Sequence, residues 1–127
     1  MKVRHLLYID DDEDDQEIFQ MAITEINGSI HCITANNASE ALQKLINAEW
    51  KPEVIFLDLN MPVMDGQEFL QEVRKRNELK DIPVIIWSTS SHPSIAQLLK
   101  EMGAHDFITK PDSYPQIVRV LESLLRD

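Results

Sequence analysis

The run Val54-Ile55-Phe56-Leu57 is apolar at four consecutive positions and ends abruptly in Asp58. A strand with one wet face alternates apolar and polar residues. A run that is apolar throughout reads instead as a strand covered on both faces, hence a central strand of a parallel sheet. Asp58 then stands at the strand's C-terminal end. In open parallel sheets that edge holds the ligand crevice, where the strand order reverses. Pro62 and Gly66 mark a loop leading into the next helix. Taken alone, Asp58 reads equally well as a crevice carboxylate and as a solvated loop residue or helix cap.

The pattern recurs along the chain. Leu6-Leu7-Tyr8-Ile9 is a second buried run, and it ends in six acidic residues, Asp10 to Asp15. Val84-Ile85-Ile86-Trp87 is a third and ends in the hydroxyl cluster Ser88-Thr89-Ser90-Ser91. Residues 105–109 form a short strand leading to Lys110-Pro111, and 29–35, mixed in character, suit an edge strand. Between them lie helical stripes. The first carries Ile18, Phe19, Ala22, Ile23 and Ile26 behind an Asp12 N-cap, with acids in the first turn where the helix dipole favours them. Asn37-Ala38-Ser39-Glu40 resembles a capping box and opens a helix with Ala41, Leu42, Leu45 and Ile46 inward. A third starts near Asp65-Gly66, buries Phe69, Leu70 and Val73, and ends in the cations Arg74-Lys75-Arg76. Pro93 opens a fourth with Ile95, Leu98 and Leu99 inward and Gly103 as its C-terminal cap. Ser113 caps the last, whose stripe is Ile117, Val120, Leu121 and Leu124.

Strand then helix, five times over, implies an α/β domain with a parallel sheet and helices on both faces. Right-handed crossovers leave few topologies. The commonest for five such units is the flavodoxin-like, doubly wound five-stranded parallel sheet of order 2-1-3-4-5, here with five helices. At 127 residues the chain (1–127) reads as one domain. Its net charge of -10 argues against nucleic acid or an anionic membrane as direct partner. No apolar run reaches the length of a membrane span. The lone Cys32 allows no internal disulfide, which suits a reducing cytoplasm. His5, His31, His92 and His105 lack metal-ligand spacing.

In the 2-1-3-4-5 order the first and third strands are neighbours. Asp10, Asp11 and Asp58 then share one crevice, with Ser88 and Lys110 on the same edge. Carboxylates this close repel one another, a conflict that a hard divalent cation such as Mg²⁺ resolves while leaving coordination positions open for phosphate. A carboxylate beside a divalent metal, a lysine and a hydroxyl is suited to nucleophilic attack on a phosphoryl group. A calcium loop fits worse: it needs Gly at its sixth position and Glu at its twelfth, which are Asp15 and Met21. The rest of the acidic run, Asp12 to Asp15, reads as a solvated helix start.

Ile9-Asp10-Asp11, Phe56-Leu57-Asp58-Leu59-Asn60-Met61-Pro62 with Asp65-Gly66, Pro83 to Ser88, and Phe107-Ile108-Thr109-Lys110-Pro111 resemble the receiver domain of two-component response regulators, in order and along the whole chain. The resemblance implies that Asp58 is the phosphoacceptor and that Asp10 and Asp11 hold Mg²⁺ with Asp58 and the backbone carbonyl of Asn60. It implies Ser88 as the switch hydroxyl, with Thr89 as the alternative. Lys110 would be the ion-pair partner, before a cis bond to Pro111, and Phe107 the aromatic whose rotamer reports the state. Asn60 and Ser90 would tune self-dephosphorylation. Trp87 is bulkier than the family's usual residue, and Asp112 stands where an apolar one is usual.

The implied protein is a stand-alone cytoplasmic switch, not a turnover enzyme. It would be phosphorylated by a histidine kinase or phosphotransfer protein and read by a target docking at roughly 93–116, with no output domain after Asp127. Onward phosphotransfer in a relay, or a receiver-like adaptor that is never phosphorylated, are the alternatives. A flavin carrier of the same topology would need a Ser/Thr/Gly-rich first loop. An aspartyl phosphatase would need a second acid where Asn60 stands.

Overall fold

A computed structural model describes residues 3–48, 51–59, 63–89 and 93–126. Ten elements alternate: β1 (His5–Ile9), α1 (Glu13–Ile26), β2 (His31–Ala35), α2 (Ala38–Asn47), β3 (Val54–Asp58), α3 (Val63–Lys75), β4 (Val84–Ser88), α4 (Pro93–Glu101), β5 (Asp106–Thr109) and α5 (Tyr114–Leu125). All strand pairs are parallel, and the sheet order is β2-β1-β3-β4-β5, as the alternation predicts.

The period-2 alternation of side chains sorts the apolar runs into two cores. Leu7, Ile9, Ile55, Leu57, Val84 and Ile86 pack against Ala41 and Leu45 of α2, Phe69, Leu70 and Val73 of α3, and Leu99 of α4. Leu6, Tyr8, Val54, Phe56, Ile85 and Trp87 meet Phe19, Ala22 and Ile23 of α1, and Leu121 and Leu125 of α5. β3 is buried at all five positions, which is why its sequence shows no alternation. Truncating one of its large residues to Ala would cost roughly 2–5 kcal/mol.

The second core is aromatic beneath the C-terminal edge of the sheet. Tyr8 stacks on Phe19 with ring centroids 4.0 Å apart, and Phe56 and Trp87 meet Phe19 edge-on at 5.1 and 5.9 Å. Such pairs add about 0.5–1.5 kcal/mol each beyond area burial.

Helix starts follow their caps. Asp12 accepts from the amides of Asp14 and Asp15, Asn37 from that of Glu40, and Ser113 from that of Gln116. The capping box is shifted: Glu40 accepts from the amide of Asn36 instead of Asn37. Gly103 has φ 108°, the left-handed conformation a side chain resists, as a C-terminal cap requires. Three expected inward residues are exposed: Ile18 (39%), Ile46 (43%) and Leu98 (41%). Each lies at the margin of its stripe, where the neighbouring Phe19, Leu45 and Leu99 take the buried position.

Candidate functional site

Parallel pairing with Ile9 opposite Leu57 puts the next residues, Asp10 and Asp58, side by side at the C-terminal edge. Both are buried, at 0% and 1% exposure. From the other side, the amide of Lys110 donates to the carbonyl of Ser88 at 2.6 Å, which anchors the chain leaving β5 to the end of β4. The Lys110 side chain, 8% exposed, then reaches across the edge. Its Nζ lies 3.3 Å from Asp58 Oδ1, 3.4 Å from Asp10 Oδ2 and 3.3 Å from Asp15 Oδ2.

Asp10 is held from several sides. Its amide donates to Ala35 O at 3.0 Å, its Oδ1 accepts from the Asp12 amide at 3.0 Å, and its Oδ2 accepts from the Tyr8 hydroxyl at 2.5 Å. Gln16 Nε2 donates to its carbonyl at 2.6 Å and to Asn36 Oδ1 at 2.8 Å, tying α1 to the loop after β2.

One ammonium therefore faces three carboxylates. Burial opposes the charge on Lys110, but the fields of Asp58, Asp10 and Asp15 outweigh it and hold its pKa above the ordinary lysine value. Burial first, then the bond to Asp10 and the nearby negative charges, push the Tyr8 phenol far up, so it stays a neutral donor. Carboxylate oxygens of Asp10, Asp15 and Asp58 lie within 4.8 Å of one another, a hard-oxygen donor set that fits a divalent cation.

The structure thus brings together Asp58, Asp10 and Lys110, and adds Asp15, which the sequence reading left among the solvated helix start. The signal was available: Asp15 precedes the buried Phe19 by four residues and so lies on the same helix face. Asp11 is exposed and its carboxylate is not in the group. The residue after Asp10 turns outward just as Asp10 turns in. Asn60 and Ser90 lie outside the described residues.

Ser88 is buried at 1% exposure. Thr89 is exposed and, with Tyr8, Asp15, Trp87 and Lys110, lines a crevice of about 210 Å³ beside the acids. Phe107 is half-buried opposite Ile86 and packs on the α2–α4 side of the sheet. The Lys110–Pro111 bond is trans, not cis as the resemblance implied. Trans is the preferred form for most X–Pro bonds. A wider cleft of about 580 Å³ between α2 and α3, lined by Leu42, Phe69 and Glu72 among others, holds none of these buried charges. Charge, not cavity size, marks the site.

A family model, the response regulator receiver domain, matches residues 6–122. The chain belongs to this family. The receiver is 36% identical over 117 residues to a probable C4-dicarboxylate response regulator, DctR, of Bacillus subtilis, covering 92% of this chain and 50% of that protein. It is 30% identical over 121 residues to the two-component response regulator ORR11 of Oryza sativa subsp. indica, covering 95% of this chain and 80% of the relative. Among solved structures, the chemotaxis response regulator CheY4 of Vibrio cholerae matches with a TM-score of 0.80 at 28% identity, over 98% of this chain and 100% of that one. The phosphorylated cyanobacterial phytochrome response regulator RcpA matches at 0.85 and 25% identity, over 95% and 90%. The receiver spans about half the length of DctR.

Receiver domains are signalling modules of two-component systems, not typical turnover enzymes. They bind Mg²⁺ at an acidic aspartate cluster and interact with histidine kinases or phosphotransfer proteins. Among the described residues, no helix is long and apolar enough to cross a membrane.

Proposed function

We propose that this receiver is a phosphorylatable switch with Asp58 as the phosphoacceptor. The observation that carries the reading is the buried contact of Lys110 with Asp58, Asp10 and Asp15 at 3.3–3.4 Å, at the C-terminal edge of the sheet. Asp10, Asp11, Asp58 and the backbone carbonyl of Asn60 would hold Mg²⁺, with Asp15 a further carboxylate grouped with Asp10 and Asp58. When bound, the ion supplies positive charge that offsets the carboxylates and the phosphoryl oxygens.

An Asp58 carboxylate oxygen attacks the phosphorus of the donor. The new O–P bond makes an acyl phosphate, and the bond to the donor's leaving group breaks. The Lys110 ammonium pairs with a phosphoryl oxygen as it arrives. Ser88, at the end of β4, donates its hydroxyl to the phosphoryl group, and Phe107 on β5 turns to fill the space behind it. Thr89, exposed in the crevice, is the alternative donor. Asn60 and Ser90 tune the return to the unphosphorylated form.

The donor is a histidine kinase or phosphotransfer protein, and the surface that changes spans roughly 93–116, where the target docks. Use as a relay intermediate would employ the same site. A cytoplasmic setting suits Cys32, whose thiol burial pushes up to about 12, leaving it an inert core group.

Acetyl phosphate with Mg²⁺ should add one phosphoryl group, labile to base and read by intact mass. Asp58→Asn should abolish it. Labelling of that variant at the native level moves the nucleophile elsewhere.

A further inference from the structure

Tyr8 occupies a position where the strand needs only an apolar side chain. Its ring meets that need: it is 1% exposed and lies flat on Phe19, with the two planes 3° apart. A leucine would fill the same core. The hydroxyl is the addition, and it goes to the buried carboxylate of Asp10 at 2.5 Å, the short end of the range for a charge-assisted O–H···O bond. The same Oδ2 lies 3.4 Å from Lys110 Nζ, while Oδ1 takes the Asp12 amide at 3.0 Å. The Asp10 carboxylate is therefore fixed from three directions before any ligand arrives. Of those three partners, only Tyr8 belongs to the core beneath the site.

We propose that Tyr8 is a positioning residue for the acid pocket: its hydroxyl fixes the Asp10 carboxylate for Mg²⁺, and its stack on Phe19 ties the state of the pocket to α1. The inference rests on the reading that the pocket holds Mg²⁺. A ligand whose orientation is set by an outer hydrogen bond loses little freedom when the ion binds, and removing such partners typically weakens metal affinity about 10- to 100-fold. The link to α1 follows from packing, because the Phe19 ring of α1 meets Tyr8, Phe56 and Trp87.

The test uses MgCl₂ alone as the probe. A buried hydroxyl proton in so short a bond exchanges slowly with water and resonates far downfield, and Tyr8→Phe identifies it by its loss. In the native chain this signal should shift as Mg²⁺ is added and saturate at the Kd found by calorimetry. Tyr8→Phe keeps the ring and its stack, and should bind Mg²⁺ about 10-fold more weakly or worse. The proposal is overturned if Tyr8→Phe binds within twofold of the native chain, or if the downfield proton ignores saturating Mg²⁺. The second arm needs no variant to fold, because selective labelling of the two tyrosines assigns the proton in the native chain. If the native chain itself binds no Mg²⁺, the metal reading falls and this inference with it. If the native chain binds and the variant is unchanged, only the role of Tyr8 falls.

Discussion

The two ends of the sheet handle charge in opposite ways. At the N-terminal end, ionic side chains are committed to backbone groups. Arg74, on α3, donates to the carbonyls of Gly103 at 2.6 and 3.1 Å, Lys80 at 2.8 Å and Ile82 at 3.0 Å, gathering the chain ahead of β4 and β5. Glu53 accepts from the amides of Arg4 and His5, both at 2.7 Å, and so joins the starts of β1 and β3. Lys51 donates to the carbonyls of Leu45 and Ala48 at the end of α2. At the C-terminal end, Asp10, Asp15, Asp58 and Lys110 face one another. The first arrangement is complete within the chain. The second leaves an excess of carboxylate around one ammonium, which a cation from solution can relieve. The difference separates the end that holds the fold from the end that can respond.

The largest break comes from Asp58→Asn, which should eliminate phosphoryl incorporation while leaving the N-terminal end intact. Intact mass and a circular dichroism spectrum check both halves. Arg74→Met should do the reverse. Leaving three backbone carbonyls short of their donor costs roughly 2–4 kcal/mol of stability in urea melts, yet incorporation per folded molecule should match the native chain. Ser88→Ala should fold and accept phosphate normally. It should lose most of the preference of the target for the phosphorylated form, a coupling of ~1–3 kcal/mol. Titrations of both forms against the partner read this directly, and a loss in Thr89→Ala instead reassigns the hydroxyl.

The smallest effect sharpens the N-terminal side. Burial opposes the charge on Glu53, but the amides of His5 and Arg4 outweigh it, so its pKa lies below the ordinary 4.5. A lowered folded-state value gives stability that is present above the ordinary glutamate range and lost as the pH falls through the lowered value. Glu53→Gln should therefore be less stable than the native chain at neutral pH, by at most about 1 kcal/mol. The gap should close below pH 4.5. A gap that persists unchanged at low pH removes the charge from the explanation.

Much of the responsive end was legible before the structure. Apolar runs that stop at Asp10, Asp58 and Ser88 locate three strand ends, and the strand order is enough to bring them to one edge. Asp15 was not legible from composition, because Asp12, Glu13 and Asp14 beside it are indeed exposed. Only the phase of α1 relative to Phe19 turns Asp15 toward Lys110. Asp11 shows the opposite pattern: adjacent to Asp10 in sequence, it is exposed and its carboxylate stands outside the group of Asp10, Asp15 and Asp58. The N-terminal end was the least legible. Arg74 reads as one more cation suited to a helix C-terminus, and nothing local reveals that its carbonyl partners lie up to 29 residues away. Long-range bonds to backbone leave no motif, because any residue can supply the carbonyl.

The most direct measurement is the melting temperature of the native chain, Asp58→Asn and Arg74→Met, each with and without Mg²⁺. The native chain and Arg74→Met should gain the same stabilisation from Mg²⁺, about 1.4 kcal/mol at ten times Kd, although Arg74→Met starts lower. Asp58→Asn should melt at least as high as the native chain without Mg²⁺, since one of the opposed carboxylates is gone, and should gain little when Mg²⁺ is added. A native chain indifferent to Mg²⁺, or an Asp58→Asn variant that gains as much as the native chain, would contradict a charge conflict held open at the C-terminal end.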